Sequence, residues 1–173
     1  MKKLLIVVDY QNDFIDGALG FPGAEKLSPI IAGKIKKARE DGADIIFTLD
    51  THGENYLETS EGRHLPVPHC VKGTKGHELR EEIKALVEPR DRIIEKPSFG
   101  SAELFDILRG SGYTDIELCG LVTDICVVSN AIIAKTALPE ADVTVDSAAV
   151  ASFDKAKHTA ALEVMKSVQI NVL

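Results

Sequence analysis

The chain has 173 residues, 45% of them hydrophobic and 27% charged, which suits one folded domain spanning residues 1–173 with a substantial core. Its formal charge of −7 argues against a nucleic-acid partner, whose surface would need clustered Lys and Arg. The apolar runs are too short for a membrane span, and three cysteines without framework spacing point to reduced thiols in a cytoplasmic protein.

Met1-Lys2-Lys3 resembles the opening of a signal peptide, but the apolar run behind it stops at Asp9 and no small-residue cleavage site follows. "KLLIVVD" (3–9) instead reads as a strand buried on both faces and ending in a carboxylate. "AEKLSPIIAGKIKKAREDG" (24–42) carries Ile30, Ile31, Ile35 and Ala38 at helical spacing and stops at Gly42. "ADIIFTLD" (43–50) repeats the strand-then-carboxylate pattern. Residues 50–76 are rich in Gly, Pro, His and Thr and lack periodicity, and a loop of that length in a compact domain is usually functional or disordered. The prolines and histidines favour function.

Regular alternation then resumes. "HELREEIKALV" (77–87) reads as a helix, "DRIIEK" (91–96) as a strand, "SAELFDILRGSG" (101–112) as a helix and "TDIELCG" (114–120) as a strand. "TDICVVSNAIIAKTAL" (123–138) is helical in pattern, "ADVTVDSA" (141–148) a strand, "SFDKAKHTAALEVMKS" (152–167) a helix and "VQINVL" (168–173) a last short strand. Strands alternating with helices predict a three-layer α/β/α sandwich around a mostly parallel six-stranded sheet, Rossmann-like in build. Ligands of such sheets sit beyond the carboxyl ends of the strands.

The first three strands end at Asp9, Asp50 and Lys96, and the fourth leads through "GLVTDIC" (120–126) to Cys126. Solvated strand ends explain any one of these residues, and explain four together less well. A free cysteine is most often inert packing. At a helix N-terminus, however, the dipole and free backbone N–H groups stabilise a thiolate. Lys96 would push the same way, Asp9 could take the proton, and N–H groups of the turn would lie where an oxyanion must be held. Cys119 falls within a strand and reads as core, while Cys70 lies in the long loop without a strand-end base.

"DTH" sends Asp50 and His52 to one side of an extended chain, and "VPHC" brings His69 from the same loop. An Asp with two His suits a borderline divalent ion such as zinc, iron or manganese. Glu61 or His64 could add a further ligand, directly or through water. His77 and His158 fall in helical patterns and read as surface residues.

Five motifs in order, "VVDYQNDF", "TLDTHGENY", "LPVPHCVKGT", "EKPSFGSA" and "CGLVTDICV", together resemble the isochorismatase-like cysteine hydrolases, in particular their nicotinamidase/pyrazinamidase-like branch. The resemblance runs from Leu4 to about Val150 and implies the isochorismatase-like hydrolase fold. It implies a catalytic triad of Asp9, Lys96 and Cys126, a cis peptide before Val122, and an oxyanion hole made by the N–H groups of Val122 and Cys126. A divalent metal is implied on Asp50, His52 and His69, with Glu61 a fourth ligand by its place in the loop. Zinc leads, with iron, manganese or magnesium as alternatives. Phe14 matches the aromatic that packs on the substrate ring, and Leu65 and Phe99 are the other substrate-wall candidates.

The implied reaction is metal-assisted hydrolysis of a small-molecule carboxamide through a thioester, nicotinamide to nicotinate and ammonia in the first instance. Relatives are often dimers or tetramers, which implies a homo-oligomer. The chain departs from the branch at Pro66, where nicotinamidases usually carry a bulky aromatic over the pyridine, and it has no Trp. An amide other than nicotinamide therefore stays open, since a ring stack contributes roughly 0.5–1.5 kcal/mol beyond burial. The second reading is a relative cleaving another C–N bond, in an N-carbamoyl or ureido compound. Such relatives commonly lack the metal, so Asp50, His52 and His69 tell against it. A true isochorismatase lacks the nucleophilic cysteine, a non-catalytic small-molecule binding module needs no acid–lysine–thiol set, and a redox role lacks a resolving cysteine.

Overall fold

Strand β1 (Lys3–Val8) runs through the middle of a six-stranded sheet, and each of its residues after Lys3 is buried. The computed structural model describes residues 1–173. The side chains of β1 alternate: Leu4, Ile6 and Val8 enter the core on one face, Leu5 and Val7 the core on the other. Being apolar on both sides is what a strand covered by helices on both faces requires. Burying each such side chain contributes roughly 1.5–3 kcal/mol.

The remaining strands are β2 (Asp44–Asp50), β3 (Arg92–Lys96), β4 (Asp115–Leu121), β5 (Asp142–Ala151) and β6 (Asn171–Val172). Their order is β3-β2-β1-β4-β5-β6, and every pairing is parallel. Helices α1 (Asn12–Ile15), α2 (Leu27–Glu40) and α4 (Glu81–Lys84) cover one face, with the short α3 (Ser60–His64) lying in the long loop between β2 and β3. Helices α5 (Ala102–Leu108), α6 (Val128–Ala137) and α7 (Lys155–Ser167) cover the other. The chain winds outward from β1 to β3, then returns to lay β4 on the opposite side of β1. The topological switch therefore falls between β1 and β4, and a crevice opens beyond their carboxyl ends.

The expected three-layer sandwich is present, with differences at several elements. The helix expected over 77–87 shrinks to α4, because Asn12 N donates to Glu78 O (3.0 Å) and Arg80 N to Tyr10 O (2.9 Å), holding 78–80 extended. Tertiary pairing overrides helix propensity there. Ile30 is 37% exposed, so α2 buries Ile31 and Ile35 instead. The last strand keeps only Asn171–Val172. Helix α1 has no counterpart among the expected elements.

Gly120 has φ +120°, and a Cβ there would collide with the Val8 carbonyl where β4 passes β1. Gly120→Ala should therefore destabilise the protein by about 2–4 kcal/mol, from backbone strain and overpacking together. Urea unfolding measures this.

Candidate active site

Asp9 follows the last residue of β1 with φ +45°, in the left-handed region that Asp and Asn enter more readily than other non-glycine residues. Thr48 Oγ1 donates to Asp9 Oδ1 at 2.7 Å, and Lys96 Nζ lies 2.6 Å from Asp9 Oδ2. Lys96 ends β3, yet its side chain spans β2 to reach β1. Along the way its Nζ lies 3.5 Å from Asp50 Oδ1, donates to Ser98 O at 3.0 Å and meets Cys126 Sγ at 3.4 Å. Asp9, Lys96 and Cys126 are 0%, 1% and 3% exposed. Carboxylate, ammonium and thiol thus converge at the switch point, sealed from bulk water.

Burial controls their protonation. It lifts the Asp9 carboxyl above the usual range while the Lys96 charge pulls it down. Burial also works to lower Lys96, but Asp9, Cys126 and Asp50 outweigh it and hold the ammonium charged. Cys126 is pushed well above the ordinary thiol range by burial first and the Asp9 charge second, with Lys96 opposing. Burial and the Asp9 charge thus act against the thiolate that Lys96 favours, next to a carboxyl whose own proton affinity is raised.

The local backbone differs from expectation too. Cys126 lies not in the first turn of an α-helix but in a π-helical turn, Thr123–Val127, that precedes α6. Ile125 N and Val127 N both donate to Val122 O, at 3.2 and 3.1 Å, while the Leu121–Val122 peptide is cis, as the resemblance implies. His158, expected on the surface, is half-buried, and its Nδ1 lies 2.9 Å from Thr123 Oγ1.

Beside this trio stands a second cluster. Asp50 Oδ2 lies 3.0 Å from His52 Nε2 and 3.3 Å from His69 Nε2, while Glu61 Oε1 lies 3.8 and 3.5 Å from the same two nitrogens. All four donor atoms fall within 4.8 Å of one another. His69 Nδ1 is 2.8 Å from the Val67 carbonyl, which can only accept, so Nδ1 carries hydrogen and Nε2 faces the carboxylates. Burial works to lower His69, yet Asp50 and Glu61 lift it to about 10, and the same imidazoles hold Asp50 below the usual carboxylate range. A field that favours positive charge this strongly, among two oxygen and two nitrogen donors, fits a borderline divalent cation. His64 is not part of it: its Nδ1 bonds Ser60 O at 2.7 Å.

A cavity of about 620 Å³ opens beside the second cluster, lined by His52, Glu61, Leu65, Ser98 and Phe99 among others, and by Pro97 and Ile125, the chain neighbours of Lys96 and Cys126. Leu65 and Phe99, the expected wall residues, are thus both on this cavity. Phe14 does not line this cavity; it is buried with its ring edge-on to His69, centroids 5.7 Å apart. A separate hollow of about 380 Å³ at the other end of the sheet holds Lys34, which pairs with Glu117 at 2.5 Å and Asp146 at 2.6 Å. Lys3 and Lys37 pair with Asp41 there, and it holds no cysteine, serine or histidine. Cys70 and Cys119 are buried, and burial pushes both thiols up.

Several supporting residues escaped the sequence reading. Gln11 is fully buried; its Nε2 donates to Asp50 O (2.9 Å) and His77 O (2.8 Å), and its Oε1 accepts from Asp50 N (2.8 Å). Asp13 Oδ2 accepts from Cys70 N at 2.7 Å, tying down the strand of loop that carries His69. Tyr56 packs edge-on to His52 and His69. His77, expected on the surface, is buried in a turn with Nε2 2.8 Å from Thr51 Oγ1. The only signal for Gln11 and Asp13 is their place in "DYQNDF". Thr48 had none. Thr48→Val should cost about 1–3 kcal/mol, because it strips a buried carboxylate oxygen of its hydroxyl donor; thermal unfolding tests this.

Residues 3–173 match the isochorismatase domain model. The pyrazinamidase of Pyrococcus horikoshii, solved in complex with zinc, superposes with a TM-score of 0.87 at 34% identity, covering 100% of this chain and 99% of that one. The nicotinamidase/pyrazinamidase of Mycobacterium tuberculosis is 27% identical over 187 residues, covering 99% of this chain and 98% of its own. The N-carbamoylsarcosine amidase of Thermoplasma acidophilum superposes with a TM-score of 0.82 at 28% identity, covering 99% and 95%. No helix is long and apolar enough to cross a membrane. With domain match, nearly complete coverage and a shared fold in agreement, the chain belongs to the isochorismatase family, as a nicotinamidase/pyrazinamidase-like hydrolase of linear amide C–N bonds.

Proposed function

We propose that the protein is a metal-assisted cysteine amidohydrolase that releases ammonia from a small carboxamide, with nicotinamide the first candidate. The observation that carries this is the contact set joining Asp9, Lys96 and Cys126, with Asp50 shared between Lys96 and the four-donor cluster. In this reading Asp9 takes the Cys126 proton as the sulfur attacks the amide carbon. Lys96, charged and bonded to both, offsets the negative charge as it passes between them. The N–H groups of Val122 and Cys126 hold the tetrahedral oxyanion, each contributing about 3–4 kcal/mol in the transition state.

Protonated Asp9 then hands its proton to the amide nitrogen, the C–N bond breaks, and ammonia leaves behind a thioester. Water attacks the thioester carbon while giving a proton to Asp9. The C–S bond breaks, and that proton returns to sulfur as the acid departs. Asp50, His52, His69 and Glu61 would hold a divalent ion, zinc foremost, whose chemistry there is Lewis-acid binding of a substrate lone pair such as a ring nitrogen.

The test is ammonia release from nicotinamide, pyrazinamide, N-carbamoyl and ureido compounds by the zinc-loaded protein. Turnover of the aromatic amides is expected. The second reading, cleavage of an N-carbamoyl or ureido C–N bond, is favoured by Pro66, which stands where nicotinamidases usually carry the stacking aromatic. Turnover of those compounds alone would establish it instead.

A further inference from the structure

Asn130 projects from α6 one turn beyond Cys126 and is fully buried, between the apolar Val127 and the Ala131–Ala134 face of the same helix. Each polar atom of its side chain is used. Nδ2 donates to Cys126 O at 2.8 Å and to Phe99 O at 3.0 Å, while Oδ1 accepts from Ser101 N at 3.0 Å. One side chain thus bonds both the backbone of the nucleophile turn and the backbone of the wall that follows Lys96. That wall, residues 97–101, has no regular structure of its own, and it presses closely on α6: a Cβ on Gly100 would come within 2.6 Å of Ile133 Cδ1. A buried amide costs desolvation unless every partner is in place, so an otherwise apolar helix face gains nothing from Asn by packing alone.

We propose that Asn130 is a positioning residue, fixing the Phe99 wall of the substrate cavity to the Cys126 turn so that the bound amide and the sulfur keep one geometry. This rests on the proposed amidase function. Lys96 makes a parallel tie, from Ser98 O to Cys126 Sγ, but that ammonium also serves Asp9, whereas Asn130 touches only main chain. Sub-ångström placement is what such ties control, and misplacement is expensive in rate.

The variants separate the two arms. Threonine can bond the carbonyl one turn back with its hydroxyl, so Asn130→Thr keeps the tie to Cys126 O and loses both ties to the wall. It should raise KM for nicotinamide by about 5-fold or more with kcat within about 2-fold. Asn130→Ala loses both arms and should also lower kcat, by about 10-fold or more. Asp154→Ala is the control: Asp154 Oδ1 accepts from Ala156 N at 2.9 Å and Lys157 N at 3.1 Å as the cap of α7, so the change lowers the melting temperature but leaves every tie of Asn130 intact. It should move neither kcat nor KM. A second readout needs no turnover: alkylation of Cys126 by iodoacetamide, followed by mass spectrometry of its peptide, should slow in Asn130→Ala and not in Asp154→Ala. An unchanged KM in Asn130→Thr, or an Asp154→Ala enzyme matching it, overturns the proposal. Wild-type protein inert towards every amide would overturn the proposed function instead, and equal alkylation rates in wild type and Asn130→Ala would then decide against Asn130 on their own.

Discussion

Cys126→Ala should abolish amide hydrolysis, lowering kcat by at least about 10⁴-fold, the scale on which nucleophile removal acts in enzymes that form acyl intermediates. The same substitution should leave the fold intact. Cys126 packs in the core shared by α5, α6 and α7, and replacing a thiol by a methyl there leaves a space of about one atom, costing about 1 kcal/mol. Asp9→Asn provides the contrast. It keeps the shape but removes the proton acceptor, for a loss of about 10²–10⁴-fold. It also leaves the Lys96 ammonium buried with only the more distant Asp50 carboxylate, at 3.5 Å, as an ionic partner. Stability should therefore fall with activity, by about 3–5 kcal/mol. Ammonia release and thermal melting on the two proteins check both halves. Ammonia release surviving Cys126→Ala would remove the sulfur from the mechanism, and an unaltered melting temperature in Asp9→Asn would mean the Asp9–Lys96 pair is not the buried ion pair described.

How far the site could be read beforehand depends on what holds each residue. Asp9, Asp50 and Lys96 end apolar runs, and strand order places the ends of parallel runs together, so their convergence was legible from hydrophobic pattern alone. His52 follows Asp50 by two residues and was legible for the same reason. Glu61 and His69 were less so, because the loop between β2 and β3 reaches them through α3 and through bonds that no periodicity encodes. Only the fold decides between Glu61 and His64, three residues apart: α3 turns Glu61 to the cluster and leaves His64 bonded to Ser60 O. Thr48 and Asn130 were invisible, one an unremarked residue of an apolar strand and the other of an apolar helix, since a buried polar group declares itself only through partners distant in the chain. The burial that acts against a Cys126 thiolate was not legible either, because a helix-terminal position does not say how deep the sulfur lies.

Chelating the metal proposed at Asp50, His52, Glu61 and His69 should lower activity by about 10²-fold or more and the melting temperature with it, and added zinc should restore both. The donors themselves are the reason. Two carboxylates and two imidazoles within 4.8 Å are held by Gln11, Tyr56 and Phe14 in an arrangement that draws positive charge. A ligand present at about a thousand times its dissociation constant adds roughly 4 kcal/mol to the folded state. The two clusters are not independent, however. Asp50 faces the imidazoles with Oδ2 and Lys96 with Oδ1, whereas Glu61 faces the imidazoles alone. Glu61→Gln should therefore weaken zinc binding by about 10–100-fold and recover full activity at high zinc, a defect of affinity only. Asp50→Asn should stay impaired however much zinc is supplied, because Lys96 has lost one of its two carboxylate neighbours and the balance with Asp9 and Cys126 shifts with it. Titrating zinc into both variants while following ammonia release distinguishes them. Full rescue of Asp50→Asn would show that Asp50 serves the metal and nothing else, and activity indifferent to thorough chelation in the parent protein would show that the cluster is no part of the reaction.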